Sequence, residues 1–163
     1  MLPRRIVGTL STLLLALLVV TGTAGTAHAE DGYQYWNYFH LQKGSWTFSK
    51  VGAGDYTPAD GAVEGFRFGT STQSQGIEPR ADLDKVDFEA ICGTAKAPTG
   101  KKRVAVVLDF GAEMGKGQPP APRADCAVVA KDASTQQVLE EVADLRVGSG
   151  MVCAIDGYPA TGC

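Results

Sequence analysis

YQYWNYFH, Tyr33–His40, poses the problem on which the fold turns. In an extended chain successive side chains point to opposite faces. Tyr33, Tyr35 and Phe39 then share one face with Asn37, while Trp36 and Tyr38 take the other with Gln34 and His40. A strand that covers an ordinary core needs one apolar face, and this one carries large rings on both. Either the strand is covered on both sides, or it packs by one face and offers the other to a flat partner. Tyr and Trp suit the second role, because they give much contact area for little rotamer entropy and keep a polar tip. Periodicity alone does not choose between the two.

Moving outward, Lys43-Gly44 predicts a hairpin turn into a second strand, Ser45–Val51, and Val63–Phe68 reads as a third. Between these lies GAGDYTPADG, 52–61, whose Gly, Asp and Pro content marks a compact loop. Residues 69–80 are polar. A short helix is predicted from Leu83 to Cys92, capped by Asp82 and released at Gly93. RVAVVLDF, 103–110, has the continuous apolar character of a buried strand, and CAVVA, 126–130, is a shorter one. Ser134 and Gln137 form a capping box. Val138, Leu139, Val142 and Leu145 follow at helical spacing, so a helix is expected to run up to Gly148-Ser149-Gly150. MVCAI, 151–155, reads as the last strand. The elements predict an α+β domain, a mixed sheet packed on one main helix.

At the other end of the chain, residues 1–29 have the form of an export signal. Arg4 and Arg5 precede an apolar run from Ile6 to Val20, and Ala27-His28-Ala29 is a small-x-small cleavage site, so the mature chain is expected to begin at Glu30. The apolar run is short for a membrane span. Secretion, extracellular or associated with the envelope, is the expected destination, with no membrane-spanning segment after cleavage. The full chain carries a formal net charge of −3, and loss of the two arginines makes the mature part more acidic. That balance argues against nucleic acid as a partner.

All four cysteines, Cys92, Cys126, Cys153 and Cys163, fall in the mature part. An even number in an exported chain predicts two disulfides. Three pairings are open, and Cys92–Cys126 with Cys153–Cys163 is the preferred one. A zinc site is disfavoured by the lack of any C-x-x-C and by a single mature histidine, His40.

Little in the sequence points to catalysis. LDFGAEMGKGQPP, 108–120, misses the phosphate-loop pattern in its spacing, in Gly117, and in the prolines that forbid the following helix. Asp82, Asp84, Asp87 and Glu89 lack calcium-loop spacing and read as a solvated helix face. His40 has no nucleophile setting around it and reads as a surface or hairpin-end residue. The chain is expected to bind and not to catalyse, with no cofactor required.

Two stretches together resemble a known family. YWNYFH with GSWTFSKVGAGDYTPADGAVEGFRF is similar to the aromatic hairpin and following strand of the C-terminal β domain of cobalamin carriers, the transcobalamin and intrinsic factor family. The matching positions are Tyr35-Trp36, then Gly52, Asp55, Tyr56, Pro58, Asp60 and Gly61, then Arg67. DASTQQVLEEVADLR with GMVCAIDGY is similar to the earlier helix and strand of that domain. The order is reversed here, as in a circular permutation with 70–101 as the connector between a hairpin half, 30–69, and a strand–helix–strand half, 102–163. Asp31 and Tyr158 should then lie close together, unless two molecules exchange halves. The whole chain also resembles an uncharacterised secreted family of actinobacteria.

The cobalamin-carrier resemblance implies a β-grasp-like fold and, as ligand, cobalamin or a similar corrinoid held against a second, helical-barrel protein or an envelope transport component. Its ligand face would comprise Tyr35, Trp36, Asn37 and Tyr38, with Met151 and Val152, and Trp46 beside them. The alternative is a secreted protein–protein interaction module with no small-molecule ligand.

Overall fold

The computed structural model describes residues 32–72, 74–80, 86–112 and 117–163; the expected signal, its cleavage site, Asp31 and residues 81–85 lie outside them. The aromatic stretch forms β1, Tyr33–Gln42, which turns at Lys43-Gly44 into β2, Ser45–Phe48. Both turn residues have positive φ, 51° and 78°, which suits the twist of a two-residue hairpin. On its other side β1 pairs antiparallel with β3, Ala62–Ser71, from Tyr33 opposite Ser71 to His40 opposite Glu64. β4, Lys101–Asp109, runs parallel to β3, and β5, Arg123–Ala130, is antiparallel to β4. The sheet order is β2-β1-β3-β4-β5. The parallel β3–β4 pair joins the two halves of the chain in one sheet, so they are not separate lobes.

A parallel pair requires a crossover, and the crossover explains the rings on both faces of β1. Part of it lies over one face. Pro79 packs near Gly65, Gly76 approaches Phe48 and Phe39, and α1, Phe88–Cys92, covers Val63, Ala105 and Val107. Over the other face lie α2, Thr135–Val142, and a separate hairpin of β6, Leu145–Gly148, and β7, Met151–Ile155. Trp36, Tyr38, Phe66, Phe68, Val106, Leu108, Val138, Leu139 and Ile155 form the main core there. The α+β sheet-on-helix architecture is as expected.

Two helices differ from expectation. α1 begins only at Phe88, and its cap is Asp87, whose carboxylate accepts from the Ala90 N–H at 2.7 Å; Asp82 and Leu83 lie outside the described residues. α2 has its capping box at Ser134 and Gln137 but stops at Val142, with Ala143 already extended. Leu145 continues the apolar period yet opens β6, and Ser149-Gly150, with φ of 50° and 77°, is a hairpin turn and not a helix stop. Tertiary bonds override the periodicity. The Asp156 carboxylate accepts from the Asp144 N–H at 3.1 Å, and the Asp156 N–H donates back to the Asp144 carbonyl at 2.8 Å.

Both preferred disulfides form. Cys92–Cys126 ties α1 to β5, and Cys153–Cys163 ties β7 to the chain end. The first spans 34 residues, so paired replacement by alanine is predicted to cost roughly 2–4 kcal/mol by loop-closure reasoning. A thermal melt of that double variant coinciding with the parent would contradict it.

Candidate functional site

The sequence-predicted ligand set does not present one face to solvent. Trp36 and Tyr38 are only 5% and 6% exposed and Asn37 is wholly buried, because both faces of β1 are covered. The expectation that Trp36, Asn37 and Tyr38 offer themselves to a flat ligand is therefore corrected. The Trp36 indole N–H donates to the Tyr158 carbonyl at 3.2 Å, and its ring meets Phe68 and Phe110. Asp31, expected to lie near Tyr158, is outside the described residues; the bond brings β1 and Tyr158 together. Asn37, on the opposite face, is a structural clamp. Its Oδ1 accepts from Ser71 Oγ at 2.5 Å and from the Ile77 N–H at 3.2 Å, holding the crossover to the sheet. Trp46 shares that opposite face, close to Phe39 and packed where Gly65 leaves room, away from Met151 and Val152.

Tyr38 anchors a buried polar cluster. Its hydroxyl donates to Glu64 Oε2 at 2.6 Å and lies 2.7 Å from Thr135 Oγ1. Burial first, and then the Glu64 charge and hydrogen bond, push the phenol far above its ordinary range, so it stays neutral. His40 Nδ1 lies 2.7 Å from the same Glu64 oxygen, and its ring packs 4.2 Å from that of Tyr56. His40 is thus neither at the surface nor at the hairpin end. It sits inside the strand pair, directly across from Glu64. Lys102, also buried, donates to the carbonyls of Pro58 and Ala133 at 2.8 and 2.7 Å. Its ammonium pKa is lowered, chiefly by burial. These bonds join the 52–61 loop, the sheet and the start of α2, so the cluster braces the fold. Asp60 secures the loop in the same way, accepting from the Arg103 N–H at 2.7 Å.

Among the described residues, β2 runs along only part of β1. β2 pairs only with Phe39–Gln42, and after Phe48 the chain leaves the sheet, with the Ser49 N–H donating to the Tyr38 carbonyl at 2.8 Å. Beyond that point a groove of about 1170 Å³ runs beside Tyr33–Tyr35. Its lining includes Phe48, Val51, Met151, Val152 and Pro159. A smaller recess of about 170 Å³ adjoins it at Trp36, Tyr38 and Gly150. Tyr35, Met151 and Val152 of the predicted set do meet here. Tyr33 and Val51 line it from outside the predicted set. Tyr33 was legible as a ring at the start of β1, whereas Val51 reads as an ordinary strand end. Among the described lining residues Lys50 is the only one with a charged side chain, and no group of three or more His, Cys, Asp or Glu that could hold a metal occurs among the described residues.

Fold and site define a disulfide-stapled α+β domain with an apolar groove along a strand edge. Its two disulfides mark a domain that works outside the cytoplasm, and no helix among the described residues is long and apolar enough to cross a membrane. The chain belongs to the SCO2322-like domain family, whose model matches residues 28–163. No curated protein and no solved structure matches it. Membership itself brings no ligand or activity and makes no link to the cobalamin carriers.

Proposed function

We propose that this chain is an exported, non-catalytic binding module whose recognition surface is the groove along β1. One observation carries the reading. Of four large apolar side chains exposed among the described residues, three line this groove: Tyr33 at 51%, Val51 at 49% and Met151 at 58%. Apolar side chains gathered in one place mark interaction sites far more often than scattered ones do. Among the described residues the groove brings no proton-moving pair to bear on a ligand, since His40 and Glu64 belong to the bracing cluster. The interaction-module reading therefore ranks first.

The corrinoid reading, with a helical-barrel partner or an envelope transport component, ranks second. It is favoured by Tyr35, Met151 and Val152 lining one groove. Burial of Trp36 and Tyr38 removes the flat aromatic platform it called for.

A photo-crosslinking phenylalanine analogue placed at Met151 in exported protein is expected to yield one discrete adduct on producing cells. The same group at Glu140, on the exposed side of α2, is expected to yield none. Equal labelling at both positions would rule out the groove as the recognition surface. Calorimetric titration with cyanocobalamin, in the presence of candidate partners, separates the two readings; heat that disappears in Met151→Glu would reverse their order.

A further inference from the structure

We infer that Met151 is a reversible oxidation site through which a hydroperoxide switches the groove off. The inference rests on the binding-module reading and adds its regulation.

Three features single out this thioether. Met151 opens β7 and pairs across the β6–β7 hairpin with Gly148, which has no side chain to lay over it. It is 58% exposed, the largest value among the exposed large hydrophobic residues, and it borders both the groove and the adjoining recess. The other sulfurs among the described lining residues belong to Cys153 and Cys163, which are joined in a disulfide, and no cysteine is free. A disulfide has no thiolate to oxidise. Met151 is thus the peroxide-reactive sulfur among the described lining residues.

Position also separates a switch from damage. Sulfoxidation turns a flexible apolar side chain into a polar, chiral one, and inside a core it breaks packing. Met151 belongs to neither buried cluster, whereas Ile155 at the far end of the same strand sits in the main core. The added oxygen therefore changes the surface and leaves the fold standing. On that surface Met151 joins Tyr33 and Val51, the other exposed apolar side chains of the groove. A partner that covers all three would have to desolvate a sulfoxide dipole. Burying such a polar group without a hydrogen bond costs about tenfold or more in affinity.

The chemistry balances in both directions. The sulfur lone pair attacks one peroxide oxygen. An S–O bond forms as the O–O bond breaks, and sulfur loses two electrons. The leaving hydroxide takes the proton of the transferred hydroxyl and departs as water. A methionine sulfoxide reductase reverses the step, with a dithiol giving two electrons and two protons to yield thioether, disulfide and water.

The test uses exported protein with the photo-crosslinking group at Val51 and with Met114→Leu, so that Met151 is the one methionine left outside the expected signal. Hydrogen peroxide is expected to add one oxygen at Met151 at a rate within about threefold of that for a free methionine amide. The melting temperature should stay within about 2 °C of the untreated value. The adduct on producing cells should fall about tenfold, and sulfoxide reductase should restore it. Slower oxidation, or a larger fall in melting temperature, would overturn the switch. Complete oxidation with an undiminished adduct would overturn it too, while leaving the groove as the recognition surface. No adduct from position 51 before treatment also overturns it, and the crosslink from position 151 then decides whether the binding-module reading falls as well.

Discussion

Asp109→Ala is expected to lower the unfolding free energy by about 3–5 kcal/mol, the range for removing one partner of a buried ion pair. Asp109 is fully buried at the end of β4. Arg80 donates from Nε and Nη2 at 3.0 and 2.8 Å, and its backbone N–H adds a third bond at 3.0 Å. The Gly111 N–H donates at 2.9 Å, and Arg67 Nε, without a hydrogen bond of its own, lies 3.5 Å away. Alanine leaves two guanidinium groups and two amides without their shared acceptor. The lower end of the range is the better guide, since the Arg80 side chain keeps 36% of its surface in water. The same site sets an acid limit. Burial alone would raise the carboxyl pKa, but bonds from Arg80 and Gly111 and the charge of Arg67 outweigh it and hold it below its ordinary value. A folded-state pKa below the unfolded one gives stability that is full above about pH 4 and lost as pH falls through the folded value. Denaturant midpoints of parent and Asp109→Asn should therefore differ at pH 7, and the difference should shrink as pH falls below about 4. Equal midpoints at pH 7 would show that the cluster contributes nothing.

Phe66→Ala is expected to cost about 3–5 kcal/mol, as for other fully buried aromatic truncations. Phe66 lies on β3 and is 1% exposed. Its ring stacks on Tyr38 at 4.7 Å with a 4° interplanar angle. Removing it opens a cavity beneath the phenol that anchors the Glu64 cluster. Apolar loss and polar misplacement therefore add, and relaxation into the hole is resisted by strands on both sides. Guanidinium unfolding followed by tryptophan fluorescence reads the change. A loss below about 1 kcal/mol would mean that the core repacks freely around the gap.

The local grammar of the fold was largely legible. Lys43-Gly44 encodes its turn, and Ser134 and Gln137 encode their cap. Pairings made across long distances were harder to read. Leu145 fits the helical period as well as Val142 does, and only the bonds between Asp144 and Asp156 turn it into a strand. Glu64 sits among apolar strand neighbours, which is a signal for a buried polar partner, but the sequence does not say which partner; Lys102, between Lys101 and Arg103, gives no such signal. The groove was half legible. Tyr35, Met151 and Val152 were anticipated, whereas Val51 joins them only because the chain leaves the sheet after Phe48 and approaches Gly150. Trp36 and Tyr38 misled for a plain reason. A ring offered to a ligand and a ring beneath a second layer have the same alternation, and the layer comes from residues more than a hundred positions away.

The Cys92–Cys126 bond has a topological consequence. Every peptide bond between those two residues lies inside a covalent ring, including the proline-rich stretch between Gly111 and Arg123. An extracellular protease that cut there would produce two polypeptides but one molecule. The nicked species would keep its mass, apart from one added water, and would come apart only when reduced.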